Sequence, residues 1–226
     1  MKPERKLAET TIPSGARLTL HEHDGNYAIR LNGQTLMQSA QAASELLLGD
    51  LAVARLAGQP AACVLIGGLG LGFSLRSVLA KTAPTATVRV AELIPQVVDW
   101  NREFLTGMNG KLVDDPRVTV FADDVWDVLV HAGRDRYDAL LLDIDNGPTA
   151  MVQQPNARLY NPKGIRLMLT ALKPGGRAAI WSASADHDFE DRLFEAGLQV
   201  EAIPAKLYAN AKRCGCTIYV ADKPPE

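Results

Sequence analysis

The chain has 226 residues, 22% of them charged and 47% hydrophobic, with a formal net charge of −2. That balance suits one soluble domain with a small appendage, long enough to bury a sizeable core. No apolar run is long enough to span a bilayer, and no basic block points to nucleic acid.

The opening MKPERKLAETTIP is charged and lacks the apolar stretch of a secretory signal, so a cytoplasmic protein is expected. Residues 14 to 37 then alternate as strands do, with Asp24-Gly25 and Asn32-Gly33 as hairpin turns. This predicts a small antiparallel β element over residues 1–40, too thin to stand alone, ahead of one larger domain over 41–226. Ser44 to Ala57 reads as a helix, with Leu46, Leu47, Ala54 and Leu56 on its apolar face and Gly49 weakening it.

The stretch ACVLIGGLGLG, Ala62 to Gly72, organises the rest of the chain. Val64 to Ile66 close a buried strand, Gly67, Gly68, Gly70 and Gly72 form a turn, and Phe73, Leu75, Val78 and Leu79 recur at helical spacing. Strand, glycine turn and helix open a nucleotide-binding βαβ unit, because glycine lets a ligand lie against the main chain. The same pattern also serves as a plain tight turn. TVRVAE then reads as a second strand ending in Glu92, roughly twenty residues past the loop, where a carboxylate reaches a ribose. The structural alternative for Glu92 is a helix N-terminal acid before Pro95.

Strands and helices alternate from there. Helices are expected from Pro95 to Leu105, after Asp123-Asp124, from Asn161-Pro162 to Leu172 and from Asp186 to Ala196, with Gly197 as a C-cap. Strands are expected at Val118–Ala122, Tyr137–Asp143, Arg177–Ser182, Leu198–Ile203 and Thr217–Ala221, with Lys173-Pro174-Gly175-Gly176 as a stop before the third of these. The run YDALLLD is nearly all apolar, as a strand covered on both faces is. This is an α/β pattern with a mostly parallel sheet, whose ligands sit at the carboxyl ends of the strands. Asp123 suits an adenine amine or a helix cap. Asp143, at the mouth of a buried strand, suits proton acceptance because burial raises a carboxyl's pKa. Its alternative is a cap for the DIDNGP turn. Of three cysteines, Cys63 reads as core packing, and Cys214 and Cys216 are too close and lack histidine partners, so no disulfide and no metal are expected.

In order, VLIGGLGLG, VAELIPQVVDW, DDPRVTVFADD, YDALLLDIDNGP, LKPGGRAAIW and TIYVADKP resemble the class I adenosylmethionine-dependent methyltransferase fold, and within it spermidine synthase and its spermidine-synthase-like relatives. The resemblance covers nearly the whole chain. It implies a Rossmann-like, seven-stranded, mostly parallel sheet with the last strand antiparallel. It implies S-adenosylmethionine, its decarboxylated form or methylthioadenosine as ligand, with no metal. By it, the glycine loop and Glu92 hold the donor, Asp123 and Asp124 lie by the adenine, and Asp143 is the catalytic carboxylate. Asp145 and Tyr160 are weaker acceptor-site candidates, and Tyr160, Trp181 and Tyr208 are residues more often found in core packing than in pocket walls. The chain departs from the family pattern at three places. The family's loop reads GGGDGG, and its Asp, which holds the ammonium of the aminopropyl arm, is Gly70 here. DxxDP becomes DIDNGP, which displaces the second acid to Asp145 or loses it. The gatekeeping Tyr and Asp-Glu find no clear match in QSAQAASELLL.

The missing loop acid favours a donor that keeps its carboxylate. Methyl transfer to a small amine or related acceptor therefore stands slightly ahead of aminopropyl transfer. A non-catalytic nucleoside-binding protein is the rival from another class. A nicotinamide-dependent oxidoreductase would fit the glycines and Glu92 but leaves LLLD and LKPGG without a role. The apolar N-terminal helix and hairpin are the surface on which a homodimer would form.

Overall fold

Two turns with positive φ at both central residues fold the N-terminal segment: Asp24 and Gly25 at 48° and 79°, Asn32 and Gly33 at 50° and 84°. Such turns match the twist of the strands they join. They link β2 (Arg17–His23), β3 (Asn26–Leu31) and β4 (Gln34–Gln38), and β1 (Arg5–Thr11) pairs on the outer side of β2. The result is a four-stranded antiparallel sheet. The computed structural model describes residues 3–144 and 156–225 of the chain.

The larger sheet has seven strands in the order β10-β11-β9-β8-β5-β6-β7. These are β5 (Cys63–Gly67), β6 (Thr87–Ala91), β7 (Val118–Phe121), β8 (Tyr137–Leu142), β9 (Leu172–Ser182), β10 (Gln199–Ala205) and β11 (Cys216–Asp222). Only β11 runs antiparallel to its neighbours, as the resemblance implied. Helix α1 (Ala43–Val53) precedes β5, and α2 (Phe73–Lys81) leaves the glycine loop. Then come α3 (Pro95–Glu103), α4 (Thr106–Asn109), α5 (Val125–Ala132), α6 (Ala157–Tyr160), α7 (Pro162–Ala171) and α8 (His187–Glu195).

Alternation along the central strands divides the core in two. Val64, Ile66, Ala139 and Leu141 face one way, into a cluster shared with α1, α2 and the inner residues Leu18, Leu20 and Ile29 of the small sheet. Leu65, Leu140 and Leu142 face the other way, into a cluster built with α5, α7 and α8. Burial on both faces explains the unbroken leucines of β8. No described helix is long and apolar enough to cross a membrane.

Three expectations change. First, β1 is a strand that hydropathy did not reveal. It lies at a sheet edge, mostly exposed, held by its ladder and by surface ion pairs such as Arg5–Glu22. Second, α1 buries Leu48, Ala52 and Val53 rather than Leu46, Leu47 and Ala54. Its turn is set by close packing on α2: a Cβ on Gly49 would lie 2.7 Å from the Ser77 Cβ. Third, Lys173 to Gly176 do not interrupt the chain. They are the start of β9, and the register shift against β8 between Tyr137 and Ala139 absorbs them.

Candidate functional site at the strand ends

In the large sheet β5 stands at the switch point, with β6 and β7 on one side and β8 and β9 on the other. Ligands bind outside the carboxyl ends of the strands at such a point. Backbone bonds tie these ends together: Gly68 N–H donates to Ala91 O at 2.8 Å and Asp143 N–H to Gly67 O at 2.9 Å. A cavity of about 130 Å³ lies there, lined among others by Gly68, Gly70, Glu92, Asp123, Asp124 and Asp143. Its opposite wall is apolar and comes from the small sheet: Leu18, Ile29, Leu36 and Met37. The N-terminal element is therefore part of the site.

The loop needs glycine at Gly68 and Gly72, and at Gly70 it runs close to a flexible side chain. Gly68 has φ 89°, and a Cβ there would lie 2.3 Å from the Asp143 carbonyl oxygen. Gly70 has φ 50° and the Met37 Sδ stands 2.7 Å from where its Cβ would be. Gly67 and Gly72 stand back from the cavity, the first in β5 and the second capping α2. Two asparagines that the sequence reading passed over clamp the loop. Asn101 Nδ2 donates to Gly70 O at 2.9 Å and Asn109 Nδ2 to Leu71 O at 2.6 Å.

Glu92 is buried, and burial raises its pKa. Backbone N–H groups oppose that rise: Leu69 donates to Oε2 and Ile94 to Oε1, both at 2.9 Å. Glu92 thus braces the glycine loop from below, and each oxygen keeps a second lone pair for a ligand hydroxyl. Asp124 caps α5 by accepting from Trp126 N–H at 2.8 Å, and its other oxygen pairs with Arg158 at 2.7 Å. The Arg158 guanidinium lies 4.9 Å from the Trp126 ring centre. Asp123 accepts from Asp124 N–H and carries no ion pair among the described residues. It is the more available of the two acids.

Asp143 follows β8 directly and accepts from the Ser74 hydroxyl at 2.6 Å. Burial pushes its pKa up and the serine opposes this. A second acid arrives from α1. Burial first, and the nearby Asp143 charge second, push Glu45 up to about 7. Two carboxyls brought together in a buried site disfavour each other's charged form. Glu45 is not legible in the sequence because it lies in α1, within the segment QSAQAASELLL, and not at a strand end. Tyr160 lies in the core, edge-on to Phe189 with ring centres 5.6 Å apart, outside the cavity lining. Trp181 packs at the core margin, and Tyr208 lies in the connection between β10 and β11. Asp145 lies outside the described residues.

The raised Glu45 gives a stability prediction. Its native value exceeds its ordinary 4.5, so the folded protein holds more protons than the unfolded one between pH 4.5 and about 7. Stability therefore falls as pH rises through that window, by on the order of 3 kcal/mol. Glu45→Gln should make the slope shallower, leaving the share of the raised Asp143 and Glu92, and be the more stable protein at pH 8. Urea unfolding at pH 5, 6, 7 and 8 measures this, and parallel profiles for the two proteins would refute it.

No family model matches the chain. Over 125 residues it is 36% identical to the polyamine aminopropyltransferase of Corynebacterium efficiens, covering 54% of this chain and 22% of that one. Over 130 residues it is 30% identical to the polyamine aminopropyltransferase of Aeropyrum pernix, covering 58% and 40%. The chain thus spans less than half the length of these curated relatives. A crystal structure of spermidine synthase in complex with the transition-state analogue AdoDATO superposes with a TM-score of 0.73 at 20% identity, over 98% of this chain and 75% of that one. The Thermotoga maritima spermidine synthase gives 0.71 at 18%, over 98% and 74%. Over about half its length the chain is thus similar in sequence to polyamine aminopropyltransferases, and along nearly its whole length it shares the spermidine synthase fold.

Proposed function

We propose that this chain transfers an aminopropyl group from decarboxylated adenosylmethionine to an amine. One observation carries the reading. The cavity at the strand ends presents Glu92, Asp123 and Asp143, beside an Asp124 whose charge Arg158 offsets, and no Lys, Arg or His among its described lining residues. A donor that keeps its carboxylate meets like charge there, and like charges at short range repel. A donor with a sulfonium and an ammonium meets opposite charge. The names of the sequence relatives and the AdoDATO complex of the matching fold support the same side. The preference for methyl transfer drawn from the missing loop acid gives way to this.

In such a reaction the acceptor's ammonium first gives a proton to Asp143, because only a neutral amine attacks. Its nitrogen then bonds to the carbon beside the sulfonium. The C–S bond breaks with its electron pair going to sulfur, which leaves neutral methylthioadenosine. The protein's part is alignment and charge placement.

Calorimetry with the three adenosyl ligands tests the reading. Decarboxylated adenosylmethionine should bind at least tenfold more tightly than adenosylmethionine, and incubation with a diamine should yield methylthioadenosine. The reverse order of affinity would restore methyl transfer. Binding without product on any amine would favour a nucleoside-binding protein.

Gly70→Asp sharpens the same test. Its φ of 50° is one that Asp tolerates, and the atom in its way is the Met37 sulfur, far out on a flexible side chain. The variant should fold and should widen the preference for the decarboxylated donor about tenfold further, the effect of one added charge–charge contact near 1.4 kcal/mol. An unchanged ratio of affinities would show that Gly70 does not face the donor's tail.

A further inference from the structure

A second, smaller cavity of about 30 Å³ opens beneath the glycine loop and shares Met37, Gly70 and Asp143 with the larger one. Leu69, Leu71 and Phe73 give it apolar walls, and its only ionisable lining groups among the described residues are Glu45 and Asp143. Serines occupy one oxygen of each: Ser44 donates to Glu45 Oε2 at 2.8 Å and Ser74 to Asp143 Oδ2 at 2.6 Å. Each carboxyl retains a second oxygen. The volume holds one group about the size of a water. A primary ammonium has that size, three N–H donors and the charge that two buried carboxyls lack.

We propose that Glu45 is a specificity-determining residue which, with Asp143, recognises a primary alkylammonium in this small cavity. The proposal rests on the aminopropyl-transfer reading, and the ammonium comes either from the donor's tail or from the acceptor. It assigns to α1, outside the nucleotide-binding βαβ unit, the acid that the glycine loop lacks at Gly70. The titratable groups that face Glu45 are Asp143 beyond β8 and the buried Cys216 thiol on β11. Binding of a cation favours the charged form of both carboxyls, so their titration shifts down and proton release accompanies it near pH 7.

Calorimetry at pH 7 in two buffers of different ionisation enthalpy reads both affinity and proton release. The probes are methylthioadenosine, which has no ammonium, decarboxylated adenosylmethionine, and 1,4-diaminobutane added to protein loaded with methylthioadenosine. In the parent, an ammonium-bearing probe should release a proton that methylthioadenosine does not, which needs no substitution to observe. Glu45→Gln should keep methylthioadenosine affinity within about twofold, weaken an ammonium probe at least tenfold and abolish the proton release. A loss confined to the decarboxylated donor places the donor's tail in the cavity, and a loss confined to the diamine places the acceptor there. Unchanged affinity for both, with methylthioadenosine still bound, overturns the proposal alone. Failure of the parent to bind methylthioadenosine overturns the reading of the larger cavity, and this proposal with it.

Discussion

Asp143→Asn should leave methylthioadenosine affinity within a few fold of the parent and lower turnover on the amine acceptor by roughly 10²–10⁴-fold, the usual worth of a positioned acid or base. The geometry makes this a clean exchange. The Asp143 main chain is fixed by its N–H bond to Gly67 O, and the Ser74 hydroxyl can donate to the Asn carbonyl as it does to the carboxylate. The substitution therefore removes charge and basicity while shape and support stay. The competing role for Asp143 is that of a strut, joining the end of β8 to the first turn of α2 through Ser74. A strut survives the change to Asn. Near-parental turnover in the variant, with a diamine acceptor and saturating donor, would assign Asp143 to that role.

Glu92→Ala has the second largest expected effect, on binding. The carboxylate lines the cavity at the strand ends, and it also accepts from Leu69 and Ile94 N–H groups. Truncation loses hydrogen bonds to a charged group, worth roughly 1.5–3 kcal/mol, or about ten- to hundredfold in affinity for methylthioadenosine. It also leaves the Leu69 N–H without its acceptor, so the loop should loosen and thermal stability should drop. The two effects separate the two roles. A lower melting temperature with unchanged affinity would make Glu92 a brace for the loop and nothing more.

The parts of the site carried by local pattern were legible in the sequence. Gly68 and Gly70 stood out because a strand, a glycine turn and a helix succeed one another within a few residues. Glu92 and Asp143 stood out because each follows a run of buried strand residues. The parts set by long-range packing were not legible. Glu45 reaches Asp143 only because α1 lies tightly on α2 at Gly49, a contact across 28 residues that no periodicity encodes. The roles of Asp123 and Asp124 could not be told apart, since the choice of cap and the pairing with Arg158 depend on how α5 meets the segment around α6. The strand β1 escaped because an exposed edge strand gains its place from the ladder, not from burial.

The wall that the small sheet contributes divides the protein's tasks along its sequence. Met37 on β4 and Glu45 on α1 both precede β5, whereas the glycine loop, Glu92, Asp123 and Asp143 all belong to β5 or come after it. Two consecutive stretches thus meet at the cavities, the first supplying one wall and Glu45, the second the glycine loop and the remaining acids. On the aminopropyl-transfer reading, the first fifth of the chain would act as an exchangeable cassette: substitutions there should retune which amine or donor is accepted while the glycine loop, Glu92 and Asp143 stay as they are. Under selection for a new substrate, changes should accumulate in that cassette first, and a chimera carrying a relative's β4 and α1 should inherit the relative's preference together with this chain's core.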